Sequence, residues 1–148
     1  MHNALFTGHV QHLHYVVPST KTVPHLYPES EDYRNMPEVF ATGFMVGLLE
    51  WCAILALRPA LEDGEGSLGT RVDIRHSAPT PPGARLTVTA RCTKIDSSYV
   101  EWEVEARDDD GDIAAAGVHG RNVITTDRFL HRVEQKAQRL APRERPLP

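Results

Sequence analysis

Cysteine is nearly absent from this 148-residue chain, with Cys52 and Cys92 its only two. No disulfide framework of the small secreted kind can be built on so few. Both fall on apolar faces, the pattern of buried free thiols in a reducing compartment. No secretory leader is expected, because Met1 to Val17 carries His, Asn and Gln where an apolar segment would stand. A cytoplasmic protein is the expectation. Charge of one sign is also missing: the net charge is −4 with both signs interspersed. That argues against nucleic acid and against an anionic membrane as partners. There is no internal repeat, P-loop, GxGxxG, GxSxG or CxxC, and no cofactor is expected. His9, His12 and His14 cluster without a Cys or acidic companion, and Asp108 to Asp110 reads as a solvated turn, so no metal is expected either.

Only one long hydrophobic run is present. From Val39 to Leu57 the chain reads VFATGFMVGLLEWCAILAL, and Glu50 is its only charge. Nineteen residues could just span a bilayer. A carboxylate at the centre would cost about 2.5–3.5 kcal/mol there, and the remainder of the chain is polar and strand-rich. A helix apolar on all sides inside a globular core fits better, and no membrane partner is expected. Gly43 and Gly47 would let such a helix approach a sheet closely. An ionised carboxylate in that setting is costly without a partner, so Glu50 either meets one inside the fold or faces a cleft.

Taken in order, Val10 to Val17 reads as a strand. Pro18 to Glu38 holds four prolines and no sustained period. Its apolar Val23, Leu26, Tyr33 and Met36 suit a lid better than a linker. The helix is expected to start near Thr42, a favoured N-cap residue. Its free N–H groups would suit a developing oxyanion. Thr42 and Glu50 lie about 80° apart around the axis and can face one cleft. From Ser67 to Ala78 the chain alternates. Leu68, Thr70, Val72, Ile74 and His76 are expected inward, with Gly69, Arg71, Asp73, Arg75 and Ser77 outward. His76 is thereby a candidate partner for Glu50. Strands Arg85 to Lys94, Tyr99 to Arg107 and Ile113 to Thr125 continue an antiparallel meander. The last of them carries Gly117, His119, Gly120 and Arg121. A helix over Thr126 to Leu140 follows. The expectation is one domain, 1–140, with a disordered tail, 141–148.

This order of elements resembles the hot-dog fold, an α+β architecture in which an antiparallel sheet wraps a central helix. More narrowly, KTVPHLYPES, PEVFATGFMVGLLEW, LEDGEGSLGT and HSAPTPPG resemble the fluoroacetyl-CoA thioesterase family. The resemblance implies an acyl-CoA thioester hydrolase acting as a homodimer. Thr42, Glu50 and His76 match the family's catalytic positions; Val23, Gly69 and Arg121 match its substrate-contacting ones. Thr42 would orient the carbonyl and His76 would act as general acid/base, with Glu50 as base or nucleophile. Leu26, Tyr33 and Met36 would complete the lid, Met36 standing where the family prototype has phenylalanine. A short acyl group is implied. Arg71, Arg75 and Arg85 are the basic residues suited to the phosphates of CoA. A hydratase or dehydratase on the same fold, or an acyl-CoA binder without turnover, would share these features.

Overall fold

The computed structural model describes residues 1–2 and 4–141. Five strands form one sheet: β1 (Val10–Val16), β2 (Glu65–His76), β3 (Arg85–Asp96), β4 (Tyr99–Asp108) and β5 (Ile113–Thr125). Their spatial order is β1-β3-β4-β5-β2 and every pairing is antiparallel. The helix α1 (Glu31–Arg34) is a single turn, α2 (Thr42–Leu57) is the apolar run, and α3 (Thr126–Leu140) closes the described chain. Of the expected 141–148 tail, all but Ala141 lies outside the described residues.

Alternation explains β3 and β4 directly. Leu86, Val88, Ala90 and Cys92 are buried on one strand, and Val100, Trp102, Val104 and Ala106 on the next. These rows face α2, which packs against all five strands. Met45, Leu48, Leu49, Cys52, Ala53, Ala56 and Leu57 fill the seam. A Leu side chain so buried contributes about 1.5–3 kcal/mol. The hot-dog arrangement expected from the order of elements is therefore present. Burial also pushes the Cys52 thiol up to about 11, as suits an unreactive core residue.

β2 departs from simple alternation. Its register with β5 shifts between Gly69 and Arg71. Before the shift Gly69 pairs with Arg121; after it Val72 pairs with His119, Ile74 with Gly117 and His76 with Ala115. Directly paired residues share a face, and Ala115, His119 and Arg121 are buried against the helix. The expected inward set is thus on the helix-facing row at Val72, Ile74 and His76, although Val72 at the sheet edge is half exposed, and it is wrong for Leu68 and Thr70. Gly69, expected outward, faces α2. One extra residue in the strand reverses the parity of everything before it.

The segment expected to lack structure has some. Short 3-10 turns form at Ser19–Lys21 and Val23–His25, ahead of α1. Thr22 bridges to Phe40, and Val23 N donates to Val39 O at 2.9 Å. The segment is pinned against the start of α2, and Leu26 covers Gly43: a Cβ there would meet Leu26 Cδ2 at 3.0 Å.

Candidate active site

Two clusters stand on α2, and they are built differently. The first is at its N-terminus. Thr42 is not the cap, as expected, but the first helical residue; Ala41 is the cap. Ala41 N is already bonded to Lys21 O at 3.1 Å, and the N–H groups of the first turn beyond it have no partner within a helix. Freed from capping, Thr42 Oγ1 lies 2.8 Å from His76 Nδ1 on β2. That is the distance of a hydroxyl and its base. The other ring nitrogen, His76 Nε2, is buried and has no hydrogen-bond partner among the described residues. Burial pushes the His76 pKa below its ordinary 6.5, against a smaller opposing pull from the Ala78 backbone. A neutral ring able to accept a proton is the result.

The second cluster surrounds Glu50. Its expected partner, His76, is not the one found. Arg121 Nη1 donates to Glu50 Oε1 at 2.6 Å. The carboxylate side chain is 32% exposed and the arginine 4%. Arg121 is otherwise held by Ser67, with Nε 3.0 Å from its hydroxyl and Nη2 2.9 Å from its carbonyl oxygen. Gly69 makes room for the pair: a Cβ there would sit 2.6 Å from Glu50 Oε1. The carboxylate pairs with arginine because Arg121 lies buried on the inward row of β5 and has no other acidic partner among the described residues. An unpaired guanidinium at that depth would cost several kcal/mol.

Sequence reasoning missed His119. It is buried beside this pair, with Nδ1 3.0 Å from Arg71 O and Nε2 3.3 Å from Arg121 Nη1. The available signal was parity: counting back from Arg121 by two puts a second polar residue on the face that meets the lone carboxylate. Burial lowers the His119 pKa; Glu50 opposes this and Arg121 adds to it.

Thr42 and Glu50 are separated by about 12 Å along the helix axis, so one chain does not bring the two clusters into contact. Among the lid residues, Leu26 covers the first turn of α2, while Val23 and Tyr33 are half-buried and Met36 is 48% exposed. Arg71 is not free for a phosphate: it is bonded to Glu101 at 2.8 Å, on the far side of the sheet from the helix. His12 and His14 bond to Thr89 and Thr87.

Residues 22–127 match the family model for fluoroacetyl-CoA-specific thioesterases. The fluoroacetyl-CoA thioesterase of Streptantibioticus cattleyicolor is 50% identical over 122 residues, 82% of this chain and 87% of that protein. The chain belongs to the fluoroacetyl-CoA thioesterase family. Members are alike in shape as well as sequence. The crystal structure of the fluoroacetyl-CoA thioesterase FlK superimposes with a TM-score of 0.87 at 47% identity, covering 89% of this chain and 97% of that one. A thioesterase-superfamily protein of Thermus thermophilus superimposes at 0.81 with 28% identity, over 90% and 94% of the two chains.

Half-buried His76 and buried His119 both bear on stability. Their folded pKa values lie below the unfolded one, so both are neutral in either state above pH 6.5 and their contribution is complete there. As pH falls below that value the unfolded chain takes up protons first, and stability is lost. Calorimetry should find Tm flat from about pH 8 to 7 and falling from there towards about pH 5, where ordinary carboxylates begin to contribute as well. A Tm that rises as pH drops from 6.5 would contradict the buried neutral state.

Proposed function

We propose that this protein hydrolyses a short-chain acyl-CoA, fluoroacetyl-CoA among its substrates, to the free acid and CoA. The observation that carries the reading is the Thr42–His76 contact of 2.8 Å at the open end of α2, in a chain of this family. Free N–H groups of the first helical turn, with the Thr42 hydroxyl, suit the thioester carbonyl and the negative charge that develops on it. His76, neutral at rest, takes up a proton from the attacking water, directly or by way of Glu50, and passes it to the departing sulfur. Glu50 either takes a proton from the attacking water or attacks the carbonyl itself, giving an anhydride that water then opens. In both routes the C–S bond breaks, a C–O bond forms, and one water is consumed. The direct test is release of free thiol from a panel of acyl-CoAs. Crotonyl-CoA turned over without thiol release would replace the hydrolase with a hydratase; binding without turnover would make it an acyl-CoA carrier.

The working form is a homodimer on this reading, and the reason lies in the distance between the two clusters. β2 is an edge strand whose Val72 is 52% exposed. Gly69 and His76 lie on it seven residues apart, roughly 23 Å of strand. Antiparallel pairing of two β2 edges about an axis near Val72 and Asp73 would set His76 of one copy opposite the partner's Gly69. That brings Thr42 and His76 together with the partner's Glu50. Mixing tests this. A His76→Ala chain and a Glu50→Gln chain, unfolded and refolded together, should recover about a quarter of wild-type activity, because half the dimers then hold one intact site. A mixture as inactive as its components would rule out the shared site. A reducing, cytoplasmic location is part of the same proposal, and the two buried free thiols suit it.

The acyl group is read from the lid. Val23, Leu26, Tyr33 and Met36 offer a largely apolar contact, suited to a small acyl chain, and Arg121, buried and bonded to Glu50, acts on the substrate through that carboxylate. Met is unbranched and adaptable, so it shapes a pocket less rigidly than an aromatic ring. Met36→Phe should raise the kcat/KM ratio of fluoroacetyl-CoA over acetyl-CoA. An unchanged ratio would remove this position from selectivity.

A further inference from the structure

We propose that His119 is a positioning residue: locked as its neutral Nδ1–H tautomer, it sets the orientation of the Arg121 guanidinium and, through it, the aim of the Glu50 carboxylate. The inference rests on the reading of Glu50 as the reacting group, and it begins with hydrogen-bond direction. Nδ1 faces the carbonyl oxygen of Arg71 at 3.0 Å. A carbonyl only accepts, so the proton is on Nδ1 and Nε2 is left with a lone pair. Arg121 Nη1, which only donates, lies 3.3 Å from that lone pair. The same Nη1 gives its shorter bond, 2.6 Å, to Glu50 Oε1.

The guanidinium is therefore held on three sides. Ser67 takes Nε and Nη2, Glu50 takes one Nη1 hydrogen, and His119 takes the other. Without His119 the planar group keeps its hinge at Ser67 but loses the contact that fixes how Nη1 meets the carboxylate. The groups around His119 leave the ring no other role. Trp102 on β4 and Val72 on β2 are its cross-strand neighbours, Arg121 and the Arg71 carbonyl occupy its two nitrogens, and it is 2% exposed. No surface of it reaches a substrate. The register shift in β2 has a use here: Arg71 is the first paired residue after it, and its carbonyl is the one that selects the tautomer.

Two variants separate positioning from packing. His119→Leu fills the space without an acceptor; His119→Gln restores an oxygen near the place of Nε2. With both folded and of wild-type oligomeric state, His119→Leu should lower kcat about 10-fold with KM within about two-fold, and His119→Gln should regain most of the loss. In a Glu50→Gln background His119→Leu should cost nothing further. Histidine 15N NMR should show the ring neutral with the proton on Nδ1. Unaltered kcat in a folded His119→Leu, equal damage in Leu and Gln variants, or a proton found on Nε2 would each overturn the proposal. Failure of the reading of Glu50 as the reacting group looks different. Glu50→Gln would then retain full activity, while the NMR measurement would still report the tautomer.

Discussion

Glu50→Gln should lower kcat/KM for acyl-CoA hydrolysis by at least about 100-fold while leaving the fold intact. The substitution is chosen for what it keeps. A glutamine oxygen can still accept from Arg121 Nη1, which now bonds the carboxylate at 2.6 Å, so the arginine keeps a partner. What is lost is the negative charge, and with it both available roles, proton acceptor and nucleophile. Glu50→Leu makes the contrast. It strands a guanidinium whose side chain is 4% exposed, and breaking a buried pair from one side typically costs about 3–5 kcal/mol. Because Glu50 is itself one-third open to solvent, the lower end is the better expectation. Activity assays and thermal melts on the two variants separate chemistry from stability. An active, folded Glu50→Gln would reduce Glu50 to a structural counter-ion.

His76→Ala is the second large effect. Its kcat should fall roughly 10²–10⁴-fold, with CoA binding changed far less. The pH profile carries more information than the loss itself. Wild-type kcat should rise with pH through a value below 6.5 as the buried ring becomes neutral, then level off by neutrality. In His76→Ala that limb should vanish from the residual rate. Thr42 holds the ring at 2.8 Å, so Thr42→Ser should preserve the limb and Thr42→Ala should weaken it. A limb that persists unchanged in His76→Ala would assign the ionisation to another group.

The residues that sequence reasoning located, and the ones it did not, differ in a physical way. Glu50 was legible because a charge in an apolar helix is an anomaly at short range. His76 was legible because the alternation of Val72, Ile74 and His76 is unbroken. The register shift beside Gly69 was not, since LEDGEGSLGT fits either parity and only pairing with β5 decides between them. Arg121 was identified by family resemblance as a substrate contact. Its bond to Glu50 links positions 71 residues apart, beyond the reach of any local period. His119 stands two residues away on the same strand, where the sequence names it but alternation alone assigns it no role. That β2 forms one edge of the sheet likewise depends on strand order, which periodicity does not encode.

α2 also acts as a ruler. Thr42 meets β2 near its end and Glu50 meets β5 beside Gly69, so eight residues of helix set the spacing between two chemical stations. One residue inserted or deleted between them would turn one station by about 100° and move it about 1.5 Å relative to the other. No side-chain change elsewhere could restore both contacts. The lid before Thr42 and the chain after Thr125 are under no such rule. The expected result is that inserting or deleting one residue between Thr42 and Glu50 abolishes activity, whereas a similar change in the flanks or loops is tolerated.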